Sequence, residues 1–400
     1  MTTSPERCLG GLINDINKEI SPRDIDFESK DETTCRTSSE QKISLDSIFS
    51  LKSNSSLISP LSSDSKFSSH KKLSSFSFTR AGIISAFNNQ RTTILLQKTL
   101  TEVSKDTIDK ILKEMAGIYS KIIKNKNGNY FCSDLFKACD KNQRIIILKE
   151  ICNTLSDDCI DEYGTHPIQT LIELSRSEEE YSLILYSFRD YNKIFNACLN
   201  QNGSYVIQKI IVHIPERYRM EFNLIIIKYL CILSMDMYGV CTVKKFIAYT
   251  KNELLLKQIL NNILTNFVNI SENQYGNYLI QYIIEHWWNS KEGLFLKRIC
   301  ISKFHILAGN HFSSYICDLF IKLSSFEDKK ILLATLISDK TITLLANNKN
   351  GNIIMNKLMN SLRIQNDGNN LQNINNPLIL NNMKIVQNQN NAESNNKKNQ

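Results

Sequence analysis

The sequence predicts an all-α solenoid, a fold built by stacking alike helical units, on three observations. Apolar residues recur at helical spacing through the middle of the chain: "NELLLKQILNNILTNFVNI" (252–270) sets Leu256, Ile259, Leu260, Ile263, Leu264 and Phe267 on one stripe. Pro is scarce, at six in 400 residues, and no hydrophobic run alternates with a period of two, which argues against a sheet. A seven-residue pattern recurs eight times at nearly equal intervals, the signature of a repeat array.

From the N-terminus, residues 1–77 are polar and increasingly Ser-rich; fifteen of the thirty-six residues in 44–79 are Ser. Such a stretch buries too little apolar surface to offset chain entropy and is predicted to be disordered, either a phosphorylation target or a passive tail. Residues 78–362 carry the repeats. Fourteen of residues 365–400 are Asn, so 363–400 reads as a low-complexity tail. Within it, "NPLILNNMKIV" (376–386) is apolar enough to dock on what precedes it.

The recurring pattern is "RTTILLQ" (91–97), "NGNYFCS" (127–133), "YGTHPIQ" (163–169), "NGSYVIQ" (202–208), "YGVCTVK" (238–244), "YGNYLIQ" (275–281), "FSSYICD" (312–318) and "NGNIIMN" (350–356). Its third residue, position zero, falls at Thr93, Asn129, Thr165, Ser204, Val240, Asn277, Ser314 and Asn352, at intervals of 36, 36, 39, 36, 37, 37 and 38 residues. Each step has room for two or three short helices. The Gly before most zero positions (Gly128, Gly164, Gly203, Gly239, Gly276, Gly351) suits a helix start where a larger side chain crowds its neighbour. In the sixth copy, Asn277, Tyr278 and Gln281 fall within a ~100° arc, with Leu279, Ile280 and Ile283 roughly opposite. One face is for packing; the other suits a flat, hydrogen-bonding ligand. One unit cannot bury its apolar face alone, so the pattern helices line up as rungs of a ladder.

These patterns resemble the Pumilio (PUF) family of RNA-binding proteins, which carry eight repeats of this length with an NYxxQ- or SxxxE-type helix. The resemblance covers roughly 78–362. A single copy is a weak signal, because one polar helix face is usually only solvated; the eightfold recurrence is a strong one. The resemblance implies a curved α-solenoid that takes one base of single-stranded RNA per repeat: positions zero and +4 bond the base edge while position +1 stacks. Asn277 with Gln281 then reads U, with Tyr278 stacking. Ser314 with Asp318 reads G beside Tyr315, although Asp is one methylene shorter than the family's Glu. Ser204 with Gln208 reads A beside Tyr205. Thr93 with Gln97 leans to A, with only Ile94 at the stacking position. Thr165 with Gln169 is ambiguous, with His166 able to stack. Asn129 with Ser133, beside Tyr130, departs from the usual pairs, as does Asn352 with Asn356; U is assigned to the latter from its position. Val240 with Lys244 has no reading, so Lys244 either holds a phosphate or tolerates any base.

The family binds RNA antiparallel, so the expected order from the 5′ end is U-G-U, an open position, A, two weakly specified positions, then A. Lys98, Lys209, Lys245 and Lys357 follow the +4 positions and either neutralise phosphates or are ordinary solvated lysines. The formal charge of +8 favours an acidic partner mildly. The expected role is a cytoplasmic binder of messenger RNA 3′ untranslated regions, a monomer that recruits protein co-regulators of translation or deadenylation. Alternatives are a nucleolar role in ribosomal RNA processing and a protein-binding scaffold. No catalytic constellation, cofactor or metal is expected. The six His are scattered, and none of the eleven Cys forms a CxxC pair, so the thiols read as buried in a reducing compartment. Cys132 and Cys139 read as core on one helix, and Trp287 and Trp288 as packing at a helix end. No secretory signal or membrane span is expected: the most apolar run, 222–235, is short and broken by Lys228.

Overall fold

The computed structural model describes residues 78–339 and 341–366. The Ser-rich segment 1–77 and the tail beyond residue 366, both expected to be disordered, lie outside the described residues. Among the described residues the chain forms helices and no strand. The eight pattern helices, rungs 1 to 8, are Gln90–Leu100, Gly128–Ala138, Thr165–Leu174, Gln201–His213, Gly239–Tyr249, Gly276–Trp287, Ser314–Leu323 and Lys349–Asn366. Each packs on the next in chain order, the stacking expected of a solenoid.

Two helices usually connect one rung to the next: Glu253–Thr265 and Phe267–Glu272, for example, join rungs 5 and 6. Here the structure divides what the sequence stripe at 252–270 joined. The first helix ends at Asn266, whose backbone N–H donates to the Asn262 carbonyl, and Phe267 starts the second helix. Leu255, outside the predicted stripe, is buried, whereas Leu256 and Leu264 are half-buried. Between rungs 6 and 7 the two connecting helices are fused into Lys291–Gly309.

One rule builds the core. In rung 6 the side chains two, three, six and seven places after position zero are Leu279, Ile280, Ile283 and Ile284, all buried. The same offsets give Val206, Ile207, Ile210 and Ile211 in rung 4, and Ile316, Cys317, Phe320 and Ile321 in rung 7, again all buried. Each such Leu or Ile contributes about 1.5–3 kcal/mol of burial free energy, which is what fixes the face each rung turns inward. Rung 1 breaks the rule once: Leu95 is exposed. Cys132 and Cys139 are both buried, but Cys139 caps the rung 2 helix rather than lying in it. Trp288 is buried edge-on against Phe320.

The turn before each rung is as regular as the core. An Asn or Asp stands four residues before position zero in every copy: Asn89, Asn125, Asp161, Asn200, Asp236, Asn273, Asn310 and Asn348. Its Oδ1 accepts backbone N–H groups at the helix start, as Asn273 does from Tyr275 and Gly276 at 2.8 and 3.0 Å. The glycine that follows then lies against the carbonyl six residues earlier. A Cβ on Gly276 would stand 2.3 Å from the Ile270 oxygen, and one on Gly239 2.4 Å from the Leu233 oxygen. Rungs 1 and 7 lack this Gly and solve the contact with a hydroxyl. Thr92 Oγ1 donates to Ala86 O at 2.6 Å and Ser313 Oγ to Leu307 O at 2.7 Å, the same carbonyl in the repeat frame.

Gly276→Ala is therefore expected to destabilise the protein by about 1–3 kcal/mol, because the obstructing atom is backbone and cannot rotate away. Ser313→Ala loses a buried hydrogen bond and is expected to cost about 1–3 kcal/mol. Urea unfolding of each variant checks both; unchanged midpoints would contradict the contact.

Candidate nucleic-acid interface

The three positions of each rung are not equally open. Position zero is a floor: Thr93, Asn129, Thr165, Ser204, Val240 and Asn277 are buried, Asn277 to 2% exposure, with Ser314 and Asn352 half-buried. Position +4 is half-buried in all eight rungs, at Gln97, Ser133, Gln169, Gln208, Lys244, Gln281, Asp318 and Asn356. Position +1 is exposed at Tyr130, His166, Tyr205, Tyr278, Tyr315 and Ile353, and half-buried at Ile94 and Cys241. The helix thus presents +1 and +4 outward over a polar floor.

The hydrogen bonds show what the floor does. Asn277 spends both hydrogens of Nδ2 on the carbonyls of Asn273 and Gln274, at 3.0 and 2.9 Å, and its Oδ1 accepts Gln281 Nε2 at 2.9 Å. Asn277 therefore holds the amide of Gln281 in one orientation, with Oε1 and the second N–H of Gln281 left for a partner. Rung 8 repeats the arrangement with a shorter side chain, Asn356 Nδ2 donating to Asn352 Oδ1 at 3.0 Å. In rung 3, Gln169 Nε2 donates to Thr165 Oγ1 at 2.9 Å, while Thr165 donates to the Asn202 carbonyl of the next rung at 3.1 Å.

Other rungs differ for visible reasons. In rung 2, Asn129 Nδ2 is bonded to Asn125 and Lys126 carbonyls, but Ser133 is too short to copy Gln281 and donates to the Asn129 backbone oxygen instead. Asn129 Oδ1 is left buried without a partner. Ser204 donates to Gln201 O at 3.1 Å and Ser314 to His311 O at 2.7 Å, so each keeps oxygen lone pairs as acceptors. Thr93 donates to Ala86 and Asn89 carbonyls, and Gln97 Nε2 donates to Asp134 Oδ2 at 2.6 Å. Rung 5 has no polar floor at Val240; Lys244 Nζ lies 4.8 Å from the Tyr282 ring centroid.

Three of the four lysines offered as phosphate contacts are engaged within the protein. Lys209 is paired with Glu173 and Lys357 with Asp318, while Lys245 lies 5.7 Å from the Tyr249 ring. Composition gave no sign of these pairings, since they join residues 36 and 39 positions apart. The Asx residue at −4 was visible in the sequence but unread there; it is the residue that fixes the start of each rung.

A ladder of alike helices, most of them offering an amide, hydroxyl or carboxylate beside an exposed side chain, defines a helical-repeat protein with a repeated polar surface. Known proteins place it further. The model of the Pumilio-family RNA binding repeat matches residues 120–152, 193–221 and 266–287. Pumilio homolog 12 of Arabidopsis thaliana is 26% identical over 220 residues, 54% of this chain and 36% of that protein. A Pumilio domain-containing protein of Schizosaccharomyces pombe is 23% identical over 298 residues, 73% of this chain and 42% of its own. The chain thus spans less than half the length of these relatives. The Puf4 RNA binding domain bound to an HO endonuclease RNA 3′ UTR recognition sequence superposes with a TM-score of 0.63 at 20% identity, covering 76% of this chain and 91% of that one. The yeast Puf5p domain bound to AAT2 RNA gives 0.62 at 20% identity, covering 80% and 100%. In its repeat sequence and in its fold the chain is similar to the Pumilio (PUF) family.

Thiol chemistry offers a local probe of the surface. Seven of the nine described cysteines are buried, and burial pushes the Cys139 thiol up to about 12. Cys231 and Cys241 are half-buried; burial raises the Cys241 thiol too, with Lys244 beside it working the other way. Peptide mapping after alkylation of the native protein is expected to find Cys231 and Cys241 modified before the other seven. Labelling should rise with pH, since the reactive thiolate forms only as pH approaches these raised values. Equal labelling of all nine would contradict the packing.

Proposed function

We propose that this protein binds single-stranded RNA sequence-specifically, one base per rung. The observation that carries this reading is the Asn277–Gln281 amide pair beneath the exposed Tyr278 ring. With its orientation held from below, the Gln281 amide offers one acceptor and one donor side by side. These match the N3–H and an adjacent carbonyl of uracil. A ring at +1 adds roughly 1–3 kcal/mol per stacked base.

Rung 8 carries the same amide-to-amide bond through Asn352 and Asn356, which supports U there on chemistry as well as position. Rung 7, with the Ser314 oxygen and the Asp318 carboxylate, offers acceptors and suits G. Read antiparallel, rungs 8, 7 and 6 select 5′-U-G-U, rung 5 leaves the next position open, and Ser204 with Gln208 takes A. The role is post-transcriptional control in the cytoplasm through the 3′ untranslated regions of messenger RNA, with protein co-regulators acting on translation or decay. Resemblance to RNA-binding domains solved on 3′ UTR recognition sequences supports that role.

Selection from a random RNA pool is expected to enrich 5′-UGU; a pool without it contradicts the base assignments. Gln281→Ala is expected to weaken binding of a UGU-bearing RNA by about tenfold with unchanged thermal stability. It is a cleaner probe than Asn277→Ala, which also strips two backbone carbonyls of their partner.

A further inference from the structure

At three of the seven junctions the +5 side chain of one rung reaches the +4 side chain of the rung before it. Asp134 in rung 2 accepts Gln97 Nε2 of rung 1 at 2.6 Å. Tyr282 in rung 6 lies 4.8 Å from Lys244 Nζ of rung 5. Lys357 in rung 8 donates to Asp318 Oδ1 of rung 7 at 2.7 Å. At these three junctions the base-edge side chain is therefore not isolated; its neighbour shares the slot. At the third junction the pair carries opposite charges, and both partners are about half exposed, with 45% of the Asp318 side chain and 48% of the Lys357 side chain open to solvent.

We propose that Asp318 and Lys357 form one composite base-reading edge, split between two repeats, that selects guanine at rung 7. The proposal deepens the RNA-binding reading and rests on it. Guanine presents in order the N2–H and N1–H donors and the O6 acceptor. Ser314 has given its hydrogen to the His311 carbonyl, so its oxygen is an acceptor for N2–H. Asp318 keeps one carboxylate oxygen for N1–H while the other holds Lys357. The ammonium, with three donors, has hydrogens left for O6. Lys357 thereby supplies a contact that Asp318 cannot make, and it sets the ammonium beside the short aspartate side chain. Adenine reverses the last two groups. Its unprotonated N1 faces a carboxylate oxygen and its amino group faces an ammonium, so the same edge repels the wrong purine.

Half-exposed ion pairs contribute little to folding, so the lysine can be replaced without unfolding the chain. The test measures affinity of the full chain, wild type and Lys357→Met, for two RNAs that differ only in G or A at the rung 7 position, over a range of salt. Lys357→Met keeps the aliphatic stem. The expected result is a loss of about tenfold on the G RNA, with less than a twofold change on the A RNA. An equal loss on both RNAs, with a flatter dependence on salt, makes Lys357 a phosphate contact and overturns the composite edge while keeping RNA binding. Equal affinity of variant and wild type for both RNAs also overturns it. A wild-type chain that binds neither RNA overturns both readings.

Discussion

The architecture depends on a close contact at the start of each rung. The helix begins where its backbone comes within van der Waals reach of a carbonyl six residues back. Only glycine, or a serine or threonine that hydrogen-bonds that oxygen, occupies the crossing at the turns detailed above. The Asx side chain four residues before position zero ties the turn together. This contact sets both the rotation and the depth of the helix. Rotation decides that offsets +2, +3, +6 and +7 go inward, and depth decides that position zero is a floor rather than an open surface. A helix started one residue earlier or later would turn its aliphatic face outward.

The floor in turn gives the surface its chemical definition. A glutamine amide in solvent rotates and offers its donor and acceptor in either order. Asn277, having spent its own hydrogens on the backbone, presents only an oxygen to Gln281 and so fixes the order. The buried residue acts as a positioning group, and in the proposed reading the half-buried one meets the base. Rung 5 has Val240 in place of a polar floor, and its Lys244 lies beside the Tyr282 ring of the next rung. Rung 2 has the asparagine but not a +4 side chain long enough to use it, so its buried oxygen stays unpartnered.

Much of this was legible in the chain. The eightfold spacing and the aliphatic offsets predict the rungs and their order, because burial of a repeated apolar face is a local pattern repeated many times. Three things were not. The division of 252–270 at Asn266 escapes a periodicity argument, since the stripe continues across the break while the backbone turns. Helical phase also places Asn277, Tyr278 and Gln281 on one arc without giving depth. Burial of Asn277 comes from the turn before it and from the neighbouring rungs. The links between rungs, Gln97 to Asp134 and Asp318 to Lys357, join residues 37 and 39 apart and depend on how adjacent helices pack.

The central claim is that each nucleotide meets one rung in register. Crosslinking tests it most directly: 4-thiouridine is placed at one position at a time along an eight-nucleotide RNA, and the attached peptide is identified. The account predicts that the crosslink steps from rung 8 toward rung 1 as the thiouridine moves from the 5′ to the 3′ end. Crosslinks that stay on one rung, or fall on the connecting helices such as Glu253–Thr265, would contradict it.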